Sequence, residues 1–237
     1  MIFWDVQQNT PAWFRARLGK ATASCFDNIV TPANFNFSKQ AYGYADALIA
    51  EWITGENQEK FPPTYEMERG ALLEPEACKW YEFETGYRLS HGGFITNEEM
   101  TAGCSLDCIV LDENMMLTGA LEIKCPKGTT HVGNLQRDNI DPSYRPQVQG
   151  QLYITGARFA DWLSYHPGMP PQLIRVERDE ALIAALDQHL QTFEAILQEK
   201  VEILKRKGAV FPDRQAYMPK RKPEQQKLTK LDYYKTL

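Results

Sequence analysis

Asp107 and, fifteen positions later, the run Glu122-Ile123-Lys124 are the residues of this chain whose types and spacing suit chemistry. Two carboxylates can hold a divalent cation, and a lysine beside them can orient or deprotonate a water, or grip a phosphate as a point charge. The stretches 104–111 and 118–125 are short apolar runs of period-two alternation, separated by Asp112-Glu113-Asn114-Met115-Met116, and together they read as a β-hairpin. A turn centred between Asn114 and Met115 pairs position 107 with position 122. Opposed side chains in an antiparallel pair have Cβ atoms about 4.5–5.5 Å apart, so the two carboxylates repel each other unless a cation offsets them. Alternation puts Glu122 and Lys124 on the face of Asp107, and Leu106, Cys108, Val110, Leu121, Ile123 and Cys125 on the other, one face for chemistry and one for the core. A bare Glu-x-Lys is commonly a structural ion pair. Asp107 at the pairing position turns the reading toward a metal centre that attacks phosphodiesters.

The elements that must carry these groups follow from periodicity and punctuation. Thr10 and Pro11 open a short helix that Gly19 stops, and a second short helix starts near Thr22 or Ser24. Hydroxyls and free N–H groups at that second start would form an anion site next to Arg17. An amphipathic helix over 38–54, capped by Ser38, is followed by a longer one over 65–84, where Pro75 should kink the chain beside Glu74. Then come an edge strand at 93–97, the hairpin, a helix within 126–139 and a helix over 142–154. In the last, Gln147 and Gln151 are neighbours and Gln149 lies on another side. Strands at 160–166 and 172–178 and a long helix over 179–207, with its stripe at Leu182, Leu186, Leu190, Phe193, Leu197 and Leu204, complete the order. This is a mixed α/β fold around one sheet flanked by helices, a single domain over 1–212 with a basic tail over 213–237.

Composition narrows the class. With 237 residues, 43% hydrophobic and 24% charged, the chain suits one globular domain, and no apolar run approaches the roughly 18 residues of a membrane span. The start lacks the basic segment of a signal peptide, so a cytoplasmic protein is expected. Five cysteines without a C-x-x-C favour free thiols over zinc or an iron–sulfur cluster, and the four histidines have no ligand spacing. A net charge of −5 argues against nonspecific coating of DNA. The charge is uneven: residues 213–237 hold seven Lys or Arg against three acids, a net of +4 that leaves −9 for the rest. Lys220-Arg221-Lys222 with nearby tyrosines suits phosphate contact as well as a solvated tail.

Arg17-Leu18-Gly19, Thr22-Ala23-Ser24, Gly70 with Glu74-Pro75 and Ala77, Ser105-Leu106-Asp107, Glu122-Ile123-Lys124-Cys125-Pro126 and Gln147-Val148-Gln149 occur in an order that resembles the phage lambda exonuclease family, the YqaJ-like viral recombinase nucleases. The resemblance spans residues 17–149 and continues more weakly to about Pro212. It implies a restriction-endonuclease-like core and a PD-(D/E)xK centre: Asp107, Glu122 and the Ile123 carbonyl on metal, Lys124 on the attacking water, and Glu74 on a second ion. By the same resemblance, Arg17, Ser24, Ser105 and Gln147, with Gln149 beside it, hold a 5′-terminal phosphate and DNA, and Met67 is the apolar wedge that opens the end. The implied activity is Mg²⁺-dependent 5′→3′ degradation of one strand of linear duplex DNA to mononucleotides, using two Mg²⁺ ions, with Mn²⁺ as a substitute. The implied setting is the cytoplasm of a bacterium carrying the phage or prophage, as a ring-shaped homotrimer working with a single-strand annealing protein. Two departures stand out. Leu106 replaces the family's usual proline, and the loop 31–37 lacks a basic residue. The alternatives are an endonuclease or resolvase of the same superfamily, and a DNA-end-binding recombination module with a vestigial centre.

Overall fold

Two sheets, rather than the single sheet expected, frame the protein in the computed structural model, which describes residues 1–57 and 65–219. In chain order the elements are β1 (Ile2–Trp4), α1 (Pro11–Arg17), β2 (Ala21–Thr22), a 3₁₀ turn (Ala23–Asn28), α2 (Ala41–Thr54), α3 (Tyr65–Thr85), β3 (Arg88–His91), β4 (Phe94–Thr96), β5 (Ala102–Cys104), β6 (Cys108–Leu111) and β7 (Leu117–Lys124). They continue with α4 (Gly128–Leu135), α5 (Arg145–Thr155), β8 (Phe159–Ser164), β9 (Gln172–Glu177) and α6 (Glu180–Arg206). The smaller sheet has the order β1-β4-β5-β2 and the larger β3-β6-β7-β8-β9, with parallel pairing only at β2–β5 and β7–β8. The architecture is the mixed α/β class that the sequence implied.

The second sheet arises because the run 104–111 is not one strand. It leaves the small sheet after Cys104 and enters the large one at Cys108. The carbonyl of Leu106, freed from any ladder by this crossing, accepts the Gln8 amide at 2.7 Å. Gly92 runs so close beneath that a Cβ there would lie 1.7 Å from the same carbonyl oxygen. One consequence is that β4 is an inner strand between β1 and β5, not an edge.

The hairpin register is the expected one where it matters. Cys108 pairs with Leu121 and Ile109 with Ala120, which carries position 107 opposite 122. Nearer the tip a bulge intervenes, since Val110 pairs with Gly119 but Leu111 with Leu117. The expected division of faces is only half right. Cys108, Val110, Leu121 and Ile123 pack with Ala77 and Tyr81 of α3, but Ile109, Leu111 and Ala120 on the opposite face pack with Val148 and Leu152 of α5. Leu106 joins this second group rather than Cys108. Parallel pairing to β8 buries β7 on both sides, so the chemical face is core except at its end.

Helix α3 is tied to the large sheet by Tyr81, whose hydroxyl donates to the fully buried Asp161 at 2.6 Å, and by Tyr165, whose hydroxyl donates to Glu76 at 2.6 Å. Asp161 is further paired with Arg175. At the other end Arg69 donates to the carbonyls of Cys125 and Pro126. These anchors flank Glu74. Asp179 caps α6, whose buried stripe is Ile183, Leu186, Leu190, Phe193, Leu197 and Val201, rotated slightly from the expected one. The first part of the expected tail belongs to the folded unit: Arg214 pairs with Glu194, and the buried Tyr217 donates to the Trp52 carbonyl at 2.6 Å. The basic run 220–222 and the rest of the tail lie outside the described residues. All five cysteines are free thiols, and among the described residues no helix is long and apolar enough to cross a membrane.

Candidate active site

At the open end of β7 the Glu122 carboxylate is held on all sides. Its Oε1 accepts the Lys124 ammonium at 2.5 Å and the Gln147 amide at 2.7 Å, and its Oε2 accepts the Gln151 amide at 2.5 Å. The Glu122 side chain is only 4% exposed, while that of Lys124 is 29% exposed. Across the hairpin, Asp107 Oδ2 accepts the backbone N–H of Ile123 at 2.6 Å, closing the ladder with a side chain in place of a carbonyl. Gln151 is fully buried, and its Oε1 has no hydrogen-bond partner.

The electrostatics are those of a site short of positive charge. Burial, and then the charge of Glu122, hold the Asp107 carboxyl well above the usual carboxylate range, while Lys124 and the Ile123 N–H oppose the shift. Glu74 is raised first by burial and then by Glu122. Burial alone would lower Lys124, but Glu122 and Asp107 outweigh it and the net shift is upward. Among the described residues no three His, Cys, Asp or Glu side chains converge into a ready-made cage for a metal. Glu74, Asp107 and Glu122 act on one another electrostatically. A buried and a half-buried carboxylate that repel each other, with a neighbouring backbone carbonyl, fit Mg²⁺, which binds through one or two carboxylates and keeps its waters.

Beside this centre the structure gathers most of the expected phosphate set. The Arg17 guanidinium donates to Ser105 at 3.4 Å, Thr22 at 3.3 Å and Ser24 at 3.2 Å, and lies 4.3 Å above the Trp13 ring. Trp13 in turn donates its indole N–H to Ser105 at 2.8 Å. Among the described residues Arg17 finds hydroxyls and an indole but no carboxylate, and burial lowers its pKa from the ordinary arginine value. A cavity of about 210 Å³ lies alongside, lined by Ala23, Ser24, Asp27, Ser143, Tyr144 and Gln147. Helix α5 reaches it because of Gly150, where a Cβ would meet the Phe26 ring at 2.4 Å. Only a glycine lets α5 lie this close to the turn that carries Ser24.

Some expectations change. The supposed second helix is a six-residue 3₁₀ turn without a side-chain cap, so Arg17, not a helix terminus, gathers its hydroxyls. Gln149 does not face the site. Its amide bridges the Glu177 carbonyl and the Asp179 N–H, anchoring the start of α6. Met67 falls in the first turn of α3 with its side chain outside the described residues. Two contributors lacked a role in the sequence reading, Trp13 and Gln151, and Thr22 had one only as a hydroxyl at the expected start of the second helix. The i, i+4 spacing of Trp13 with Arg17 and of Gln147 with Gln151 was the signal that could have found two of them.

Known proteins resemble this chain in sequence and in fold. Residues 12–158 match the YqaJ-like viral recombinase domain. The crystal structure of an alkaline exonuclease, LHK-Exo from Laribacter hongkongensis, is 35% identical with a TM-score of 0.73, covering 84% of this chain and 98% of that one. The same values hold for LHK-Exo in complex with dAMP. A phage-related exonuclease from Haemophilus somnus 129PT shares the fold at 15% identity and a TM-score of 0.61, over 78% of this chain and 96% of that one. A search of curated proteins returned no match. Fold, site and relatives together define a nuclease acting on DNA. The chain belongs to the YqaJ-like viral recombinase family.

Proposed function

We propose that this protein is a Mg²⁺-dependent exonuclease that degrades the 5′ strand of linear double-stranded DNA in the 5′→3′ direction, releasing mononucleotides and leaving a 3′ single strand for annealing. The observation that carries the reading is Arg17, a half-buried cation whose hydrogen-bond partners among the described residues are hydroxyls and not carboxylates, set beside a cavity whose wall includes a residue bonded to Glu122. A terminal phosphate on Arg17, Ser24, Ser105 and Gln147 would lie next to the cutting centre and measure the position of the end.

Asp107, Glu122 and the Ile123 carbonyl would hold one ion and Glu74 would serve a second. Bound there, Mg²⁺ would ease deprotonation of water and offset charge on the leaving oxygen. Lys124, kept protonated by Glu122 and Asp107, would orient the attacking water and steady the phosphate oxygens. Gln151 would hold Glu122 in place from the buried side. The acidic average charge is compatible with DNA binding if the protein encloses its substrate, which supports a ring-shaped homotrimer, and the family supports an annealing protein as partner and a phage or prophage gene expressed in bacterial cytoplasm.

The test is digestion of linear and covalently closed duplex in Mg²⁺, with and without a 5′ phosphate. Linear duplex should yield mononucleotides, faster with the phosphate, and closed circles should survive. Cutting of closed circles would establish an endonuclease instead, and end binding without any cleavage would establish a vestigial centre. Light scattering tests the trimer.

A further inference from the structure

Gln147 serves two places at once. Its amide donates to Glu122 Oε1 at 2.7 Å, and the same half-buried side chain lines the 210 Å³ cavity that Ser24 and Tyr144 share. One turn along α5, Gln151 donates to the other carboxylate oxygen but is fully buried and has no part in the cavity wall. The two amides differ in freedom. Gln151 leaving Glu122 would strand a buried N–H, whereas Gln147 can exchange one anionic acceptor for another without losing its partner.

We propose that a phosphate monoester in the cavity draws the Gln147 amide away from Glu122 Oε1 and frees that oxygen for a divalent cation, so that end phosphate and cation each tighten the binding of the other. This rests on the end-recognising reading above and adds a coupling to it. In the absence of an end phosphate, Glu122 is engaged by three donors and is a poor ligand. With the phosphate in place, Oε1 faces only Lys124, whose partly exposed ammonium can turn toward the phosphate as well. The device would disfavour cation binding, and therefore cutting, wherever no strand end is seated. Reciprocity is required: if the phosphate strengthens cation binding by some factor, the cation strengthens phosphate binding by the same factor.

The probes are Mn²⁺ with dAMP, which carries a 5′ phosphate, or with deoxyadenosine, which does not. Mn²⁺ binding to the intact protein is measured by titration calorimetry against matched Mn²⁺–nucleotide blanks. Saturating dAMP should tighten Mn²⁺ binding by a factor within the roughly 5- to 150-fold range of coupled sites, and deoxyadenosine should not. Gln147→Met should remove the difference, and Gln151→Met should keep it, with circular dichroism showing both variants folded. Equal Mn²⁺ affinity with the two nucleotides overturns the coupling. A dAMP effect that persists in Gln147→Met also overturns it, since attraction between dianion and cation would then suffice. In either case the wild type would still bind Mn²⁺ and digest linear duplex. Loss of both of those overturns the metal-site reading and the coupling together.

Discussion

Replacing Gln151 with methionine should separate catalysis from stability. The side chain is fully buried, with one amide group 2.5 Å from Glu122 Oε2 and the other, Oε1, unpaired. Losing a hydrogen bond to a carboxylate costs about 1.5–3 kcal/mol, while removing a buried unpaired carbonyl returns about 1–3 kcal/mol. Methionine has similar length and fills irregular space. The two effects offset, so stability should change by no more than about 2 kcal/mol in either direction, a shift in Tm of at most about 8 °C for a domain of this size. Catalysis has no such offset. Glu122 loses the donor that fixes Oε2, and a ligand misplaced by about 1 Å can cost about 100-fold in rate. The expected result is a fall in kcat of about 10- to 100-fold on linear duplex at saturating Mg²⁺, with little change in KM for DNA. Scanning calorimetry and a fluorescence digestion assay measure both quantities. A Tm drop beyond about 10 °C would make Gln151 a structural residue, and an unchanged kcat would refute the claim that Glu122 needs it.

Three further outcomes are expected. Gly150→Ala places a Cβ 2.4 Å from the Phe26 ring; overpacking of about 1–3 kcal/mol, less about 1 kcal/mol gained in helix propensity, should lower stability and reduce the preference for 5′-phosphorylated ends, and a raised Tm would contradict this. Arg17→Met should slow digestion of 5′-phosphorylated duplex toward the rate for 5′-hydroxyl duplex while leaving the latter rate nearly unchanged; an equal drop on both would show that Arg17 is not an end reader. Lys20 is buried and its pKa is lowered to about 8, chiefly by burial and then by Arg214. Between about pH 8 and the ordinary lysine value near 10.4 the unfolded chain holds the proton that the folded one has lost, so stability should rise with pH across that window. Chemical denaturation of wild type and Lys20→Met at pH 7.5 and 10 tests this, the variant lacking that part of the rise, of order 3 kcal/mol.

The hairpin register was legible because alternation and a polar turn leave few ways to pair 107 with 122, and the bulge at Val110 and Leu111 lies beyond the residues that this pairing uses. The split into two sheets was not legible: Ser105-Leu106-Asp107 contains no glycine or proline, and the crossing depends on Gln8 and Gly92, both distant in sequence. Arg17 with the hydroxyls near Thr22 and Ser24 was legible as an anion site from local order, but Ser105 was found only through resemblance to a family, since nothing local says that the first helix and a crossing loop will meet. Gln149 shows the converse. Helical period already put it on a different side from Gln147, and the structure gives it to the start of α6. Gln151 was missed as a site residue because an amide in a helix carries no signature of its own; only the buried carboxylate it meets gives it a role.

Helix α5 docks where Gly150 has no side chain, and from that one seat it presents Gln147 to the cavity, Gln151 to Glu122 and Gln149 to the start of α6. A shift of the helix itself moves all of these seats together, even though a single side chain such as Gln147 can turn on its own. Changes of end preference and of cutting rate are therefore inherited together when they act by shifting this helix as a body. A protein engineer who wants to tune end preference without repositioning this helix can work from the opposite wall, at Arg17, Ser24 and Ser105, where the residues are carried by different segments of the chain.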